Sequence, residues 1–110
     1  MIIPKDAIIA EEKIRDYLLV PLEEDDKSEF LSLGGYRRED YWELVRDIRD
    51  QLLPAEAEFQ DDRRHGPLYA HYGVLKGPNG IRLGVRMIWI VNLLDEIRFV
   101  TLVPDKKYLS

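Results

Sequence analysis

The 110-residue chain contains no cysteine. Disulfides, thiolate metal ligands and cysteine nucleophiles are therefore excluded. Histidine is almost as scarce, with only His65 and His71. They stand six residues apart with no carboxylate motif around them, which is poor metal-ligand spacing. No metal and no cofactor is expected. No stretch approaches the ~18 apolar residues of a membrane span. Met1-Ile2-Ile3-Pro4-Lys5-Asp6 lacks the basic start and long apolar core of a signal peptide. A soluble, cytoplasmic protein is the expectation. Gly34-Gly35-Tyr36 and Gly77-Pro78-Asn79-Gly80 do not match a phosphate-cradling loop. No Gly-x-Ser-x-Gly occurs, and Ser28, Ser32 and Ser110 lack a catalytic context.

An excess of positive charge is also missing, since the formal net charge is −5. Nucleic-acid affinity comes mostly from phosphate neutralisation, so RNA is a partner that the net charge does not favour. The charge is uneven, however. Residues 1–60 carry eight Lys/Arg against sixteen Asp/Glu, and residues 61–110 carry eight against five. A basic face can form if the acidic half points elsewhere. The cluster Glu23-Glu24-Asp25-Asp26 with Glu29 lacks the glycine and spacing of a calcium loop and reads as a solvated surface.

What the chain does have is periodicity. Over residues 10–19, Ile14, Tyr17 and Leu18 fall on one helical face, and Pro21 ends the segment. Residues 26–33 read as a short helix burying Phe30, Leu31 and Leu33, stopped by Gly34-Gly35. Tyr41, Leu44, Val45, Ile48 and Leu52 recur at helical spacing between Arg38 and Leu53, opposite a charged face, and Pro54 ends that helix. Residues 55–67 read as irregular, with a short strand at Glu56–Phe59. From Leu68 the period becomes two, giving strands at 68–76, 81–91 and 97–103. Gly77-Pro78-Asn79-Gly80 is the turn between the first two. One domain results, of class α+β. Two or three N-terminal helices pack on one face of a C-terminal antiparallel meander of three to four strands.

Register then assigns side chains to faces. In the strand at 81–91 the odd residues Ile81, Leu83, Val85, Met87, Trp89 and Val91 form the apolar core face. Pairing Lys76 with Ile81 places Leu68, Ala70, Tyr72 and Val74 opposite them in the core. It places His71 opposite Arg86 on the outer face, with Leu75 facing Arg82 and Gly73 facing Gly84 across a shallow gap. Pairing Val91 with Ile97 adds Arg98 to that face. His71 with Arg82 and Arg86 on an open sheet is what metal-free RNA cleavage needs. The Arg residues hold the phosphate and the His moves a proton. These residues are the candidate catalytic set. The same face carries Ile88, Ile90, Val100 and Leu102, an apolar strip that a protein partner or a second copy would cover.

The segments Lys27–Tyr36, Asp47–Leu52, Tyr72–Gly80, Arg86–Ile90 and Phe99–Pro104 together resemble a prokaryotic family of stand-alone domains, domain of unknown function 6883. The opening Ile2-Ile3-Pro4 and Ile14–Leu19 fit as well. Members of that family are often encoded beside another small domain, which implies paired modules of the toxin–antitoxin kind. The element order also resembles, in architecture, barnase/RelE-like ribonuclease toxins. The family resemblance adds Lys27, the lysine at the helix start, to the candidates. The acidic net charge departs from such ribonucleases, which are usually basic. The sequence supports first a protein-interaction component of a two-gene module, and second a metal-independent ribonuclease-like enzyme.

Overall fold

A computed structural model describes residues 1–23 and 27–108. Glu24, Asp25 and Asp26 of the acidic cluster, the proposed helix start at 26, and Ser110 lie outside the described residues. The elements are β1 (Ile2–Ile3), α1 (Glu11–Lys13, continued by a π-helical turn Ile14–Leu18), α2 (Ser28–Ser32), α3 (Tyr41–Asp47, entered by a 3₁₀ turn Arg38–Asp40 and continued by a π-helical turn Ile48–Leu52), β2 (Ala55–Glu56), β3 (Glu58–Arg63), β4 (Gly66–Lys76), β5 (Arg82–Val91) and β6 (Ile97–Pro104). Strands β3-β4-β5-β6 form an antiparallel meander, and β1 pairs with β2 in a separate two-stranded ribbon. The class is α+β, as the order of periodicities predicts. The stretch read as largely irregular contributes the fourth strand, β3, whose six residues are all exposed. Its polar sequence, Glu-Phe-Gln-Asp-Asp-Arg, hides it from a search for apolar alternation.

The helices cover one sheet face. Ile14, Leu18, Leu31, Leu44, Ile48 and Leu52 meet Leu75, Leu83, Val85, Met87, Trp89 and Phe99 in a single core. Leu31 alone of α2 is buried, and Leu33, expected inside, is 56% exposed. The N-terminal segment crosses under the same face, where Ile3, Ala7 and Ile9 are buried. Ile8 exchanges backbone hydrogen bonds with the β6 edge, through Ile97 O at 2.9 Å and Phe99 N at 2.8 Å. That edge is thereby partly closed.

The β4–β5 turn is held from the helical side. Gly77 N–H donates to Ile81 O and Gly80 N–H to Gly77 O, both at 2.9 Å. The loop proper is therefore the three residues Pro78-Asn79-Gly80, with Gly80 left-handed at φ 88°. Pro at the first loop position and Gly at the left-handed one suit this three-residue geometry. Asn79 ties the loop to the end of α2. Its side-chain N–H donates to Leu33 O at 2.9 Å, and its backbone N–H donates to Gly34 O at 3.2 Å. Tyr36 adds a buried link, donating its hydroxyl to Asp47 at 2.7 Å. Burial, helped by that carboxylate, pushes the Tyr36 phenol well above its ordinary value. Gln51 accepts from Lys76 N–H at 2.7 Å and donates to Lys76 O at 2.9 Å, fixing α3 against the end of β4.

The three-residue loop moves the register by one from the pairing expected of the sequence. Lys76 lies opposite Arg82, not Ile81, and Leu75 opposite Leu83. Because side chains alternate along a strand, every β4 residue changes face. Tyr69, His71, Gly73 and Leu75 point to the helices. Leu68, Ala70, Tyr72 and Val74 point away. A second irregularity between Ile88 and Trp89 shifts β6, so Leu102 lies opposite Met87 and is fully buried.

A Cβ on Gly77 would lie 1.9 Å from the Gly34 carbonyl oxygen. Gly77→Ala is predicted to destabilise by about 2–3 kcal/mol, the upper range for overpacking. Gly80→Ala meets open space and carries only the left-handed backbone cost, about 1 kcal/mol. Urea unfolding of both variants checks the difference.

Candidate functional site

The register separates the residues that the sequence reading brought together. His71 faces the helical layer, opposite Met87, and is only 6% exposed. Arg86 faces the other side, opposite Tyr72. The expected opposition of His71 and Arg86 is therefore corrected to two faces of one sheet. The gap between Gly73 and Gly84 does not form either. The two glycines point in opposite directions. Leu52 packs over Gly73, leaving 2.6 Å for a Cβ, and Tyr108 packs over Gly84, leaving 2.3 Å. Lys27 lies at the start of α2, where its ammonium sits 5.2 Å from the Tyr17 ring centre and 3.4 Å from its hydroxyl oxygen. It joins neither group.

His71 has a defined role in the core. Trp89 Nε1–H donates to His71 Nε2 at 2.9 Å, and the two rings lie 13° from parallel. Trp89 is fully buried and meets Phe99 edge-to-face at 5.7 Å. Indole nitrogen can only donate, so Nε2 must be unprotonated and the neutral ring carries its proton on Nδ1. Burial lowers the His71 pKa, partly opposed by a hydrogen bond with the Tyr72 backbone. A general acid or base needs access to substrate. Here the accepting nitrogen is spent on a core indole.

The outer face divides into two halves. Toward the β4–β5 turn stand Lys76 opposite Arg82 and Tyr72 opposite Arg86. Toward the other end stand Leu68 opposite Ile90, and Ala70 opposite Ile88, continued on β6 by Arg98 and Thr101. Gln60, in the bulge of β3, accepts from Arg86 Nη2 at 2.7 Å. That bond spans β4 where the small, buried Ala70 leaves room. Tyr72 is 61% exposed and Val74 41%. Of the apolar strip, Ile88, Ile90 and Val100 remain half-buried on this side, whereas Leu102 belongs to the core. The polar pairing of Gln60 with Arg86 and the exposed Tyr72 were not singled out from sequence. The signal that could have found Tyr72 is the Pro-Asn-Gly loop, which sets the register.

The clefts lie apart from this face or at its margin. One of 650 Å³ is in the helical layer, lined among others by Pro21, Ser28, Tyr36 and Arg38. One of 300 Å³ is lined by Glu56, Glu58, Gln60, Ala70, His71 and Tyr72. Beside the larger cleft, Asp16 takes hydrogen bonds from Arg15 and Arg38, which hold its pKa at about 2. No cluster of His, Asp and Glu suited to a metal ion occurs among the described residues. No described helix is long and apolar enough to cross a membrane.

The family model described as domain of unknown function (DUF6883) matches residues 4–106, so the chain belongs to that family. No curated protein and no solved structure matches the chain.

The His71–Trp89 contact predicts a pH dependence. The folded pKa of His71 lies below that of the unfolded chain, about 6.5. The unfolded state therefore takes up the proton first, so this stability is present above that pH and is lost as pH falls below it. The limiting slope is about 1.4 kcal/mol per pH unit. His71→Gln keeps an acceptor for the indole and removes the titration. Urea unfolding between neutral and mildly acidic pH should show a steeper stability loss in the wild type than in His71→Gln. Equal slopes would contradict the assignment.

Proposed function

We propose that this member of the DUF6883 family is a protein-interaction domain, one component of a two-protein module of the toxin–antitoxin kind. It docks through the apolar half of the outer sheet face. The observation that carries this reading is that Leu68, Ile88, Ile90 and Val100 lie half-buried on a face that no described helix covers. The described cover on that side is the turn placing Tyr108 over Gly84, in the other half. Apolar side chains collected on an uncovered sheet face favour a macromolecular partner. Arg98, ion-paired to Glu96 at 3.5 Å, gives the patch a polar margin. In this reading the domain works in the cytoplasm, where a chain without cysteine needs no oxidising compartment.

The alternative, a metal-independent ribonuclease-like toxin, draws less support from the geometry. It requires a solvent-facing histidine beside arginines. His71 is buried against Trp89, Arg82 and Arg86 are on the opposite face, and Lys27 is in the helical layer. A helix-then-meander order shared with ribonuclease toxins does not by itself imply their activity.

Ile90→Asp places a charge at the middle of the apolar half without touching the core. The chain, alone and co-expressed with the product of the adjacent gene, is expected to form an assembly measurable by light scattering. Ile90→Asp should weaken that assembly about tenfold or more while the circular dichroism spectrum is kept. A wild type that stays monomeric and binds no neighbour, or a mutant of unchanged assembly mass, would count against docking through this patch.

A further inference from the structure

The other half of the outer face has a different chemistry. Lys76 and Arg82 stand directly opposite each other across β4 and β5. Like charges so placed are destabilising unless an anion joins them. Among the described residues neither side chain has a hydrogen-bond or ion-pair partner, and both are exposed. Two residues along each strand, Val74 opposes Gly84, and Tyr108, itself 44% exposed, rests on that glycine. Two further along, Tyr72 opposes Arg86. The face therefore runs cations, aromatic, then aromatic beside cation, with about 7 Å between successive rows.

Arg86 is held in place without being neutralised. Its guanidinium donates to the uncharged amide oxygen of Gln60 and makes no ion pair among the described residues. On β3, Glu58 lies opposite Ala70 and makes no ion pair with Arg86. An ion pair would have cancelled the charge, whereas an amide positions it. Beside it Tyr72 presents most of its ring to solvent from an inner strand of the sheet. An exposed tyrosine on a rigid strand, flanked by preset arginine, fits an unstacked base and its phosphate.

We infer that Tyr72, Lys76, Arg82 and Arg86 form a binding face for a single strand of nucleic acid, with a base stacked on Tyr72 and phosphates against the three cations. The chain's overall negative charge does not oppose this locally. Most of the acidic excess belongs to residues 1–53, whose described helices pack on the opposite side of the sheet, and the carboxylates that border Tyr72 in the smaller cleft are Glu56 and Glu58. Local field, not net charge, governs encounter at such a face. The site lies beyond the apolar half and does not depend on docking there.

The test is fluorescence anisotropy of the full chain with fluorescein-labelled oligouridine and oligothymidine, at about 50 and 200 mM salt. Binding to a single strand should weaken with salt. Tyr72→Ala should reduce affinity about tenfold or more. Arg86→Gln should reduce it several-fold and lower the salt slope by about one unit. Binding of either oligonucleotide supports the face. Ile90→Asp should bind as the wild type does, which separates this site from the docking patch. Both test residues of the face are outside the core, and circular dichroism verifies their folding. No binding at low salt, equal binding by Tyr72→Ala and Arg86→Gln, or equally tight binding of duplex would overturn the inference. So would displacement by polyglutamate as effective as by oligonucleotide, which would assign the face to an acidic polypeptide.

Discussion

The three-residue loop Pro78-Asn79-Gly80 decides what each side chain of the central strands can do. It closes the β4–β5 hairpin between Gly77 and Ile81, and two bonds from Asn79 secure it to the end of α2. The Gly34 and Gly77 backbones approach so closely that neither loop can shift without the other. From this junction the register runs the length of β4. It sends His71 inward and Tyr72 outward, and it aligns Lys76 with Arg82. The two glycine motifs, unmatched to any phosphate-binding loop, thus act together as a structural clamp.

The inward side of that register is organised around Trp89. Its indole is fully buried and needs an acceptor, which His71 supplies. An unsatisfied indole N–H would cost about 1–3 kcal/mol. A histidine on this strand is therefore explained by core hydrogen bonding, with Gly73 beside it leaving space for Leu52. The outward side keeps its polar chemistry open. The interior histidine is satisfied by the indole, whereas on the outside the side chains of Lys76 and Arg82 have no partner among the described residues and Arg86 bonds only the neutral amide of Gln60.

The sequence made the architecture legible where periodicity was strong. The helical face of Leu44, Ile48 and Leu52 is buried as its spacing predicts, and Leu83, Val85, Met87 and Trp89 of β5 form the core, whereas Ile81, expected with them, is 51% exposed beside the turn. The first part of the β5–β6 register also holds, with Val91 opposite Ile97 and Trp89 opposite Phe99. Three features were not legible. β3 carries almost no apolar pattern. The irregularity at Ile88/Trp89 takes Leu102 inside. The face of β4 was ambiguous because Leu68, Ala70, Tyr72 and Val74 look more apolar than Tyr69, His71, Gly73 and Leu75. Loop geometry and the close approach of Leu52 outweighed that difference. Much of the candidate site changed with it, since His71 left the arginine face while Arg82 and Arg86 stayed on it.

The account rests on which residue lies opposite His71, and cross-strand nuclear Overhauser effects in isotope-labelled protein read this directly. The structure predicts backbone contacts of His71 with Met87 and of Tyr72 with Arg86, together with a slowly exchanging indole proton on Trp89. Contacts of His71 with Arg86 and of Tyr72 with Val85 would contradict it. They would return the histidine to the arginine face and restore the geometry that ribonuclease chemistry requires.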